Sequence, residues 1–297
     1  MAEITASMVK DLRERTDAPM MDCKKALTAV DGDMAKAIDW LREKGIAKAE
    51  KKASRIAAEG VADIAVQGDR AVVFELNCET DFVAHGDKFA SLAAKVGAAI
   101  VASGAASTEA ALEVVADGKT IRAFLLETVA VIGENITLRN VEVFTKTAGQ
   151  HFGVYKHMGG KIVTLSILNG GTDEVAKDVS MHACAMNPRY LAPADIPAEV
   201  IAHERQVLQA EALNENAANP KPKPEAIIVK MVEGRLQKGL KEICLVNQPF
   251  VKNPDQSVDE FVRSKGASIV SFKRLAMGEG IEKKVENFAE EVMSQIK

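Results

Sequence analysis

The sequence has few aromatic residues and no excess of positive charge. One Trp, two Tyr and ten Phe occur among 297 residues, and the formal net charge is -4. A protein that binds nucleic acid along a groove needs a basic surface, and one that holds single strands also needs aromatic side chains on which bases stack. We therefore expect no direct contact with nucleic acid.

The sequence also lacks long apolar runs and paired cysteines. Its first residues mix charged with apolar side chains, and no apolar run is long enough to span a bilayer. Cys23, Cys78, Cys184 and Cys244 are widely separated, and no C-x-x-C pair occurs. These patterns predict a cytoplasmic protein with reduced thiols, no membrane contact, no disulfide framework and no metal site.

Apolar periodicity predicts three short helices near the N-terminus. Thr5 can cap the first helix, the turn at residues 16–19 precedes the second, and Gly45 can end the third. Three helices of this length enclose little core, which favours a docking module over an enzyme. The Ala- and Lys-rich residues 46–56 are predicted to form a solvated helical linker.

A weak internal repeat follows in the middle of the chain. An apolar strand leads to an Asn-containing turn, then to Thr-Asp, then to an Ala-rich helix; the first copy has Asn77 and Thr80, and the second has Asn169 and Thr172. A third, weaker copy centres on Asn247. Strands that alternate with helices in this way predict an α+β core of two related subdomains.

Phe82 is the residue that the repeat does not explain. The second copy carries Glu174 at the equivalent position, so the repeated unit does not itself require an aromatic residue there. Two interpretations are open. Phe82 packs under the following helix with Phe89 and Leu92, or it contacts a partner.

Two further amphipathic stretches are separated by a proline-rich linker between the second and third copies. Residues 198–213 and 225–238 carry apolar stripes, and the linker contains Pro220, Pro222 and Pro224. This pattern predicts an antiparallel helical hairpin inserted as an arm. A last amphipathic helix is predicted from four apolar residues with helical spacing, Ile281, Val285, Phe288 and Val292.

Catalytic motifs are scarce. The nucleotide-binding, zinc-protease and nucleophile-elbow patterns are missing, and His182 and Cys184 lie two apart in a predicted helix, where they face different ways. No cofactor is expected. Two other functions are open. A metabolic enzyme would need a pocket of converging polar groups. An adaptor would bind ubiquitin-like proteins through the N-terminal helices.

Six strings occur in order along the chain: LRERTDAPMMDCKKAL, NCETDFVA, HMGGKI, KMVEGRL, NQPFV and GEGIEKK. Together they resemble the bacterial translation elongation factor Ts family over the whole length. The resemblance implies an α+β fold with an N-terminal bundle like a ubiquitin-associated (UBA) domain, a core of two related subdomains, a coiled-coil arm and a C-terminal helix. The corresponding domains are residues 1–54 (UBA-like), 55–140 (core subdomain N), 141–189 with 241–275 (core subdomain C), 190–240 (arm) and 276–297 (C-terminal helical module).

The resemblance also implies a function. Family members are guanine-nucleotide exchange factors for elongation factor Tu and perform no covalent chemistry of their own. In this chain the implied element that enters the GTPase near its Mg²⁺ and phosphate site consists of Thr80, Asp81, Phe82 and Val83. The residues at the corresponding end of the second copy predict a second contact, made by His157, Gly159 and Gly160. The arm could form a homodimer, or the chain could bind the GTPase as a 1:1 heterodimer; the sequence leaves both open.

Overall fold

The structure, a computed structural model, describes residues 3–281 and is an α+β protein. Its α-helices are α1 (Ala6–Thr16), α2 (Met20–Ala29), α3 (Met34–Lys52), α4 (Asp81–Ala84), α5 (Asp87–Ser103), α6 (Thr108–Leu112), α7 (Ile121–Ile132), α8 (Asp173–Met186), α9 (Ala198–Ala217), α10 (Glu225–Glu242) and α11 (Val258–Ser264). None of these helices is long and apolar enough to cross a membrane. Nearly all of the predicted terminal helix lies outside the described residues.

The strands form four small sheets. They are β1 (Glu59–Gln67), β2 (Arg70–Cys78), β3 (Val115–Ala116), β4 (Lys119–Thr120), β5 (Thr137–Thr145), β6 (Gln150–His157), β7 (Ile162–Gly170), β8 (Pro249–Phe250), β9 (Asn253–Ser257) and β10 (Ala267–Ala276). The larger sheets have the orders β1-β2-β5 and β10-β7-β6. In each of these two sheets, the second strand of a hairpin is central, a helical segment follows it, and a later strand pairs with it.

The chain divides into two compact units. Within the described residues, the first contains residues 3–145, Met158–Ile162 and residues 275–281. The second contains Lys146–His157 and Val163–Arg274. The first unit thus holds the N-terminal helices and the β1-β2-β5 sheet, and the second holds α8 to α11.

The three N-terminal helices lie where the periodicity predicts them. Thr5 caps α1, because its Oγ1 accepts a hydrogen bond from the Met8 amide at 3.3 Å. Asp33 caps α3 by accepting from the Lys36 amide at 3.0 Å. The helices share a small apolar core, which consists of Val9, Leu12, Cys23, Ala26, Leu27 and Ala37.

Gly45 does not end α3, and the prediction that it does was wrong. The helix continues to Lys52, and a Cβ added at Gly45 would lie 2.7 Å from the Cβ of Ala130 on α7. The glycine therefore permits close packing of two helices instead of stopping one. Residues up to Lys52 are also not a solvated linker, since Ala49 is buried in the core of the first unit.

The β1-β2-β5 sheet is antiparallel and is buried along its central strand. Val72, Phe74, Leu76 and Cys78 alternate along β2 and join one apolar cluster with α5 and α7. Every residue of β2 after Arg70 is buried, so both faces of the strand are covered.

The second face of β2 carries a buried carboxylate, Glu75, which is fully inaccessible. Its Oε1 accepts from Asn77 Nδ2 at 2.6 Å and from the Gly278 amide at 2.5 Å, and its Oε2 accepts from Asn140 Nδ2 at 2.8 Å. Arg139 Nη1 lies 3.8 Å from Oε1. Glu75 thus joins β2 to β5 and to the segment that follows β10.

In the second unit α8 packs on β6 through small residues. Ser180 Oγ donates to the Gly153 carbonyl at 2.9 Å, and a Cβ at Gly153 would collide with the Ala176 carbonyl. Asn169 lies within β7, as Asn77 lies within β2, so the predicted Asn-containing turns begin later than expected.

The third repeat copy lacks its predicted strand. Where the strand was predicted, Cys244 forms an isolated bridge with Tyr190, and a 3-10 turn covers Leu245–Asn247. The short β8-β9 hairpin and α11 follow. Directly after this segment, His182 Nε2 lies 3.0 Å from Gln248 Oε1, and the Val251 amide donates to His182 Nδ1 at 3.1 Å.

Helices α9 and α10 pack against each other on either side of the proline-rich linker. Ile228 and Val232 are buried with Ala212, whereas Val207 and Ile227, which also belong to the predicted stripes, are exposed. Two ion pairs cross between the helices, Arg205 with Glu233 at 3.3 Å and Arg235 with Glu215 at 2.9 Å.

His182 is held as a neutral imidazole. Its Nδ1 accepts a hydrogen bond, so its Nε2 carries the proton that it donates to Gln248. Burial lowers its pKa below the usual value of 6.5. The unfolded state therefore binds more protons than the folded state as the pH falls below 6.5, and the stability contributed by neutral His182 is complete above that pH and is lost below it.

We expect the second unit to lose stability as the pH falls below 6.5, and His182→Gln to flatten this dependence. Both tyrosines, Tyr155 and Tyr190, lie in the second unit. Urea unfolding followed by tyrosine absorbance at several pH values therefore measures how the stability of this unit depends on pH. Parallel pH profiles for the wild-type and His182→Gln proteins would show that His182 does not contribute to this loss.

Candidate functional site

The loop after β2 is a single helical turn with one side anchored. Thr80 caps α4 by accepting from the Val83 amide at 3.4 Å. Val83 packs against the core of the first unit and Ala84 is buried in it. Because these two residues take the inner side of the turn, the side chain of Phe82 points outward and is 87% exposed.

Phe82 does not pack under the following helix. Phe89 and Leu92, its proposed neighbours, are 0% and 7% exposed and belong to the core, which Phe82 does not join. That interpretation of the sequence was wrong, because α4 ends after one turn and α5 begins anew after Gly86.

The second repeat copy provides an internal comparison. Thr172 caps α8 by accepting from the Val175 amide at 3.3 Å, as Thr80 caps α4. Glu174, equivalent to Phe82, is exposed. The same position thus faces solvent in both copies, and only the first copy places a large apolar side chain there. An exposed aromatic on an ordered turn is typical of a binding residue.

Glu134 anchors the loop from a distant part of the chain. Its Oε2 accepts from the amides of Glu79 and Thr80, both at 3.0 Å, and its Oε1 accepts from Thr80 Oγ1 at 2.6 Å. In the reverse direction, Glu79 Oε1 accepts from the Asn135 amide at 2.7 Å. Glu134 was not among the predicted site residues, since nothing in the sequence around it indicates a contact with residues more than fifty positions away.

A buried thiol supports the loop from below. Cys78 Sγ lies 3.2 Å from the Thr80 carbonyl. Burial raises the pKa of the thiol to about 12, so it stays protonated and can donate to that carbonyl. This cysteine is a packing residue with one hydrogen bond and not a nucleophile.

Exposed polar groups surround Phe82. A shallow cavity of about 340 Å³ is lined by the loop and by neighbouring residues, namely Glu59, Glu79, Thr80, Asp81, Phe82, His85 and Lys161. Lys161 pairs with Glu59 at 2.9 Å, and His85 Nδ1 lies 2.6 Å from the Asp81 carbonyl. Asp81 itself is exposed beside Phe82.

The residues predicted for a second contact fall in both units. His157, the last residue of β6, belongs to the second unit; it is exposed, and its ring stacks on Tyr155 with centroids 6.2 Å apart. Gly159 and Gly160 belong to the first unit. Gly160 is buried with φ 100°, and its carbonyl accepts from the Ala62 amide at 2.8 Å, so it has a structural role. The exposed residues of the three are His157 and Gly159.

A larger cavity of about 650 Å³ lies in the first unit, among the N-terminal helices, α5 and α7. None of the predicted site residues lines it, and in the described part of the chain no histidine or cysteine does. Ion pairs among its lining residues include Lys48 with Asp22 at 2.8 Å and Lys88 with Asp17 at 3.3 Å.

The fold and the loop together define a class: an α+β protein that presents an anchored, exposed aromatic side chain, as proteins that bind other proteins do. The family model described as Elongation factor TS matches residues 79–279, which begin at the loop and cover well over half of the sequence. The chain belongs to the elongation factor Ts family. Membership implies a nucleotide exchange factor that acts on elongation factor Tu.

Proposed function

We propose that this protein releases GDP from elongation factor Tu by inserting Phe82 into the GTPase near its Mg²⁺ and phosphate site. Thr80, Asp81 and Val83 complete the inserted element. The observation that carries the proposal is the 87% exposure of Phe82 on an ordered turn. Thr80 caps this turn and donates a hydrogen bond to Glu134, and Ala84 is buried.

The energetics suit such an insertion. Moving a phenylalanine from water into an apolar pocket contributes roughly 1.5–3 kcal/mol, which can offset the cost of shifting elements of the partner. Because the turn is already ordered, little of this gain is spent on ordering it. Displaced elements no longer hold Mg²⁺ and the β-phosphate well, so GDP binding weakens.

Exchange is reversible by necessity. If this protein weakens the binding of nucleotide to elongation factor Tu, then nucleotide weakens the binding of this protein by the same factor. The protein therefore supplies no direction of its own, and an excess of GTP over GDP determines the direction of exchange.

The test is the release of a fluorescent GDP from elongation factor Tu in the presence of excess unlabelled GTP. We expect the release rate to rise with the concentration of this protein and then to saturate. A rate that does not change at any concentration would exclude the proposed function.

The proposal includes His157 and the adjoining turn at Gly159 and Gly160 as a second contact. The exposed imidazole and Tyr155 beneath it offer a flat, amphipathic surface. His157 and Tyr155 belong to the second compact unit, whereas Phe82 belongs to the first, so these two side chains would add affinity without taking part in the insertion.

His157→Ala should weaken binding to elongation factor Tu by about threefold to tenfold and leave the saturated release rate unchanged, because one exposed aromatic contact typically contributes of order 1 kcal/mol. Titration of the release rate against protein concentration separates the two quantities. His203→Ala, which removes an exposed histidine on α9, is the matched control. A lower melting temperature with intact binding would assign His157 to the β6-β7 hairpin alone.

A further inference from the structure

We infer that Glu134 is a positioning residue for nucleotide exchange: it fixes the orientation from which Phe82 enters the partner. This inference rests on the proposed function. Glu134 does not need to touch the partner, because both of its carboxylate oxygens are occupied by the loop that carries Phe82.

The three hydrogen bonds converge on the start of the turn. The Glu79 and Thr80 amides immediately precede α4, and the Thr80 hydroxyl also caps α4. One carboxylate therefore fixes two successive backbone groups and the rotamer of the capping side chain. A charged acceptor forms shorter and stronger hydrogen bonds than a neutral one. Phe82 is only two residues further along, so its direction depends on this anchor.

Glu134 is itself held in place by its neighbours. Gly133, with φ 90°, ends α7, and Lys52 Nζ donates to its carbonyl at 2.5 Å. The side chain of Asn135 donates to the Arg55 carbonyl at 2.7 Å. The segment that carries Glu134 is thus fixed by α7 on one side and by the end of α3 on the other, and all of these residues belong to the first unit.

Losing the anchor should affect exchange more than folding. Val83 and Ala84 would still pack in the core, so the turn would persist. Its N-terminal end would loosen, however, and Phe82 would sample directions that do not lead into the partner. The fraction of productive insertions would fall, which lowers the release rate at saturation and not merely the affinity.

The experiment compares Glu134→Ala, Glu134→Gln and Glu127→Ala. Glu127 is a matched control: it is a partly buried carboxylate on α7 that pairs with Lys119 at 2.7 Å and does not contact the loop. Two readouts are needed, hydrogen exchange of the Glu79 and Thr80 amides in the free protein and saturated GDP release from elongation factor Tu. The first readout is independent of the partner.

For Glu134→Ala we expect the Glu79 and Thr80 amides to exchange at least tenfold faster, and saturated GDP release to slow by roughly tenfold, as small misplacements of a reacting group can cost this much or more. Glu134→Gln should recover most of both, because its oxygen can accept from the amides while its NH₂ donates to Thr80. Glu127→Ala should change neither quantity.

Phe82→Ala distinguishes failure of the inference about Glu134 from failure of the proposed function. If Phe82→Ala slows GDP release and Glu134→Ala does not, the inference about Glu134 is overturned and the proposed function stands. If Phe82→Ala releases GDP at the wild-type rate, the proposed function fails and the inference fails with it. Slow release by Glu134→Ala without faster amide exchange would also overturn the inference, since the effect would then not come from the loop.

Discussion

Phe82→Ala should slow saturated GDP release by about thirtyfold or more and leave the stability of the protein nearly unchanged. A buried aromatic anchor at an interface typically costs ~2 kcal/mol or more when it is truncated, and each 1.36 kcal/mol corresponds to about a tenfold change in rate. The free protein gains no cavity, because the side chain is already 87% exposed. Release of fluorescent GDP and thermal unfolding, measured on the same variant, test both statements.

Phe89→Ala is the matched control, only seven residues away in the sequence. Phe89 is fully buried, so its truncation should cost about 3–5 kcal/mol of stability. The two phenylalanines should thus give opposite results, one in exchange and the other in stability. If Phe82→Ala unfolds the protein while GDP release per folded molecule stays at the wild-type rate, the insertion mechanism is wrong.

Asp81→Ala should act in the same direction as Phe82→Ala but more weakly. Asp81 is the first residue of α4, where a negative charge favours the helix, and its exposed carboxylate adjoins Phe82. Its removal leaves the aromatic side chain and the Thr80 cap in place. The same GDP-release assay measures the difference between the two variants. If Asp81→Ala slowed GDP release more than Phe82→Ala does, the Asp81 carboxylate would be the main contributor to exchange.

Local patterns in the sequence predicted the Thr5 cap. Thr5 is followed by apolar residues at helical spacing, and its side chain accepts a hydrogen bond from the amide three residues on. This prediction depends on residues that are close together in the chain, and the sequence contains that information. The internal repeat showed that the unit does not require an aromatic at Phe82, but it left open whether Phe82 packs in the core or contacts a partner.

Contacts between distant segments decided what the sequence could not predict. Gly45 is a reasonable helix stop by its intrinsic preference, but close packing against Ala130 makes it an interior residue. Glu134 contacts the loop from a separate segment. The residues around Glu134 give no sign of this contact, and neither do those around Thr80. The segment before Asn247 is a predicted strand, but it forms an isolated bridge with Tyr190 and a 3-10 turn, and His182 contacts Gln248 directly after it. In each case tertiary packing overrides local preference.

Glu75 shows the same limit on the central strand. In a strand that alternates between core and solvent, a glutamate is expected to face water, yet β2 is buried on both faces and Glu75 is fully inaccessible. The carboxylate is tolerated because its acceptors are satisfied by side chains on β2 and β5 and by the Gly278 amide. Two of these partners lie far along the chain, so the sequence could not indicate them.

Glu75→Gln should destabilise the first unit by about 2–3 kcal/mol, the second large effect that we expect. A hydrogen bond to a buried charge contributes more than a neutral one, and a buried donor that loses its acceptor costs its full desolvation energy. Both carboxylate oxygens of Glu75 accept from donors. Whichever way the substituted side-chain amide is turned, its NH₂ group therefore meets Asn140 Nδ2 on one side or Asn77 Nδ2 and the Gly278 amide on the other.

The single tryptophan makes this prediction measurable, because Trp40 lies on α3 in the first unit. Urea unfolding followed by its fluorescence should give a lower midpoint for Glu75→Gln. Glu113→Gln is the control, since Glu113 is exposed and pairs with Arg122 at 2.7 Å, and exposed ion pairs contribute only about 0–1 kcal/mol. Equal midpoints for the two variants would mean that the buried cluster adds no more stability than a surface ion pair. In that case Asn140 would have to rearrange. Because Asn140 is the exposed member of the cluster, it can rotate its side-chain amide at little cost. Its oxygen would then accept a hydrogen bond from the NH₂ group of the substituted side chain.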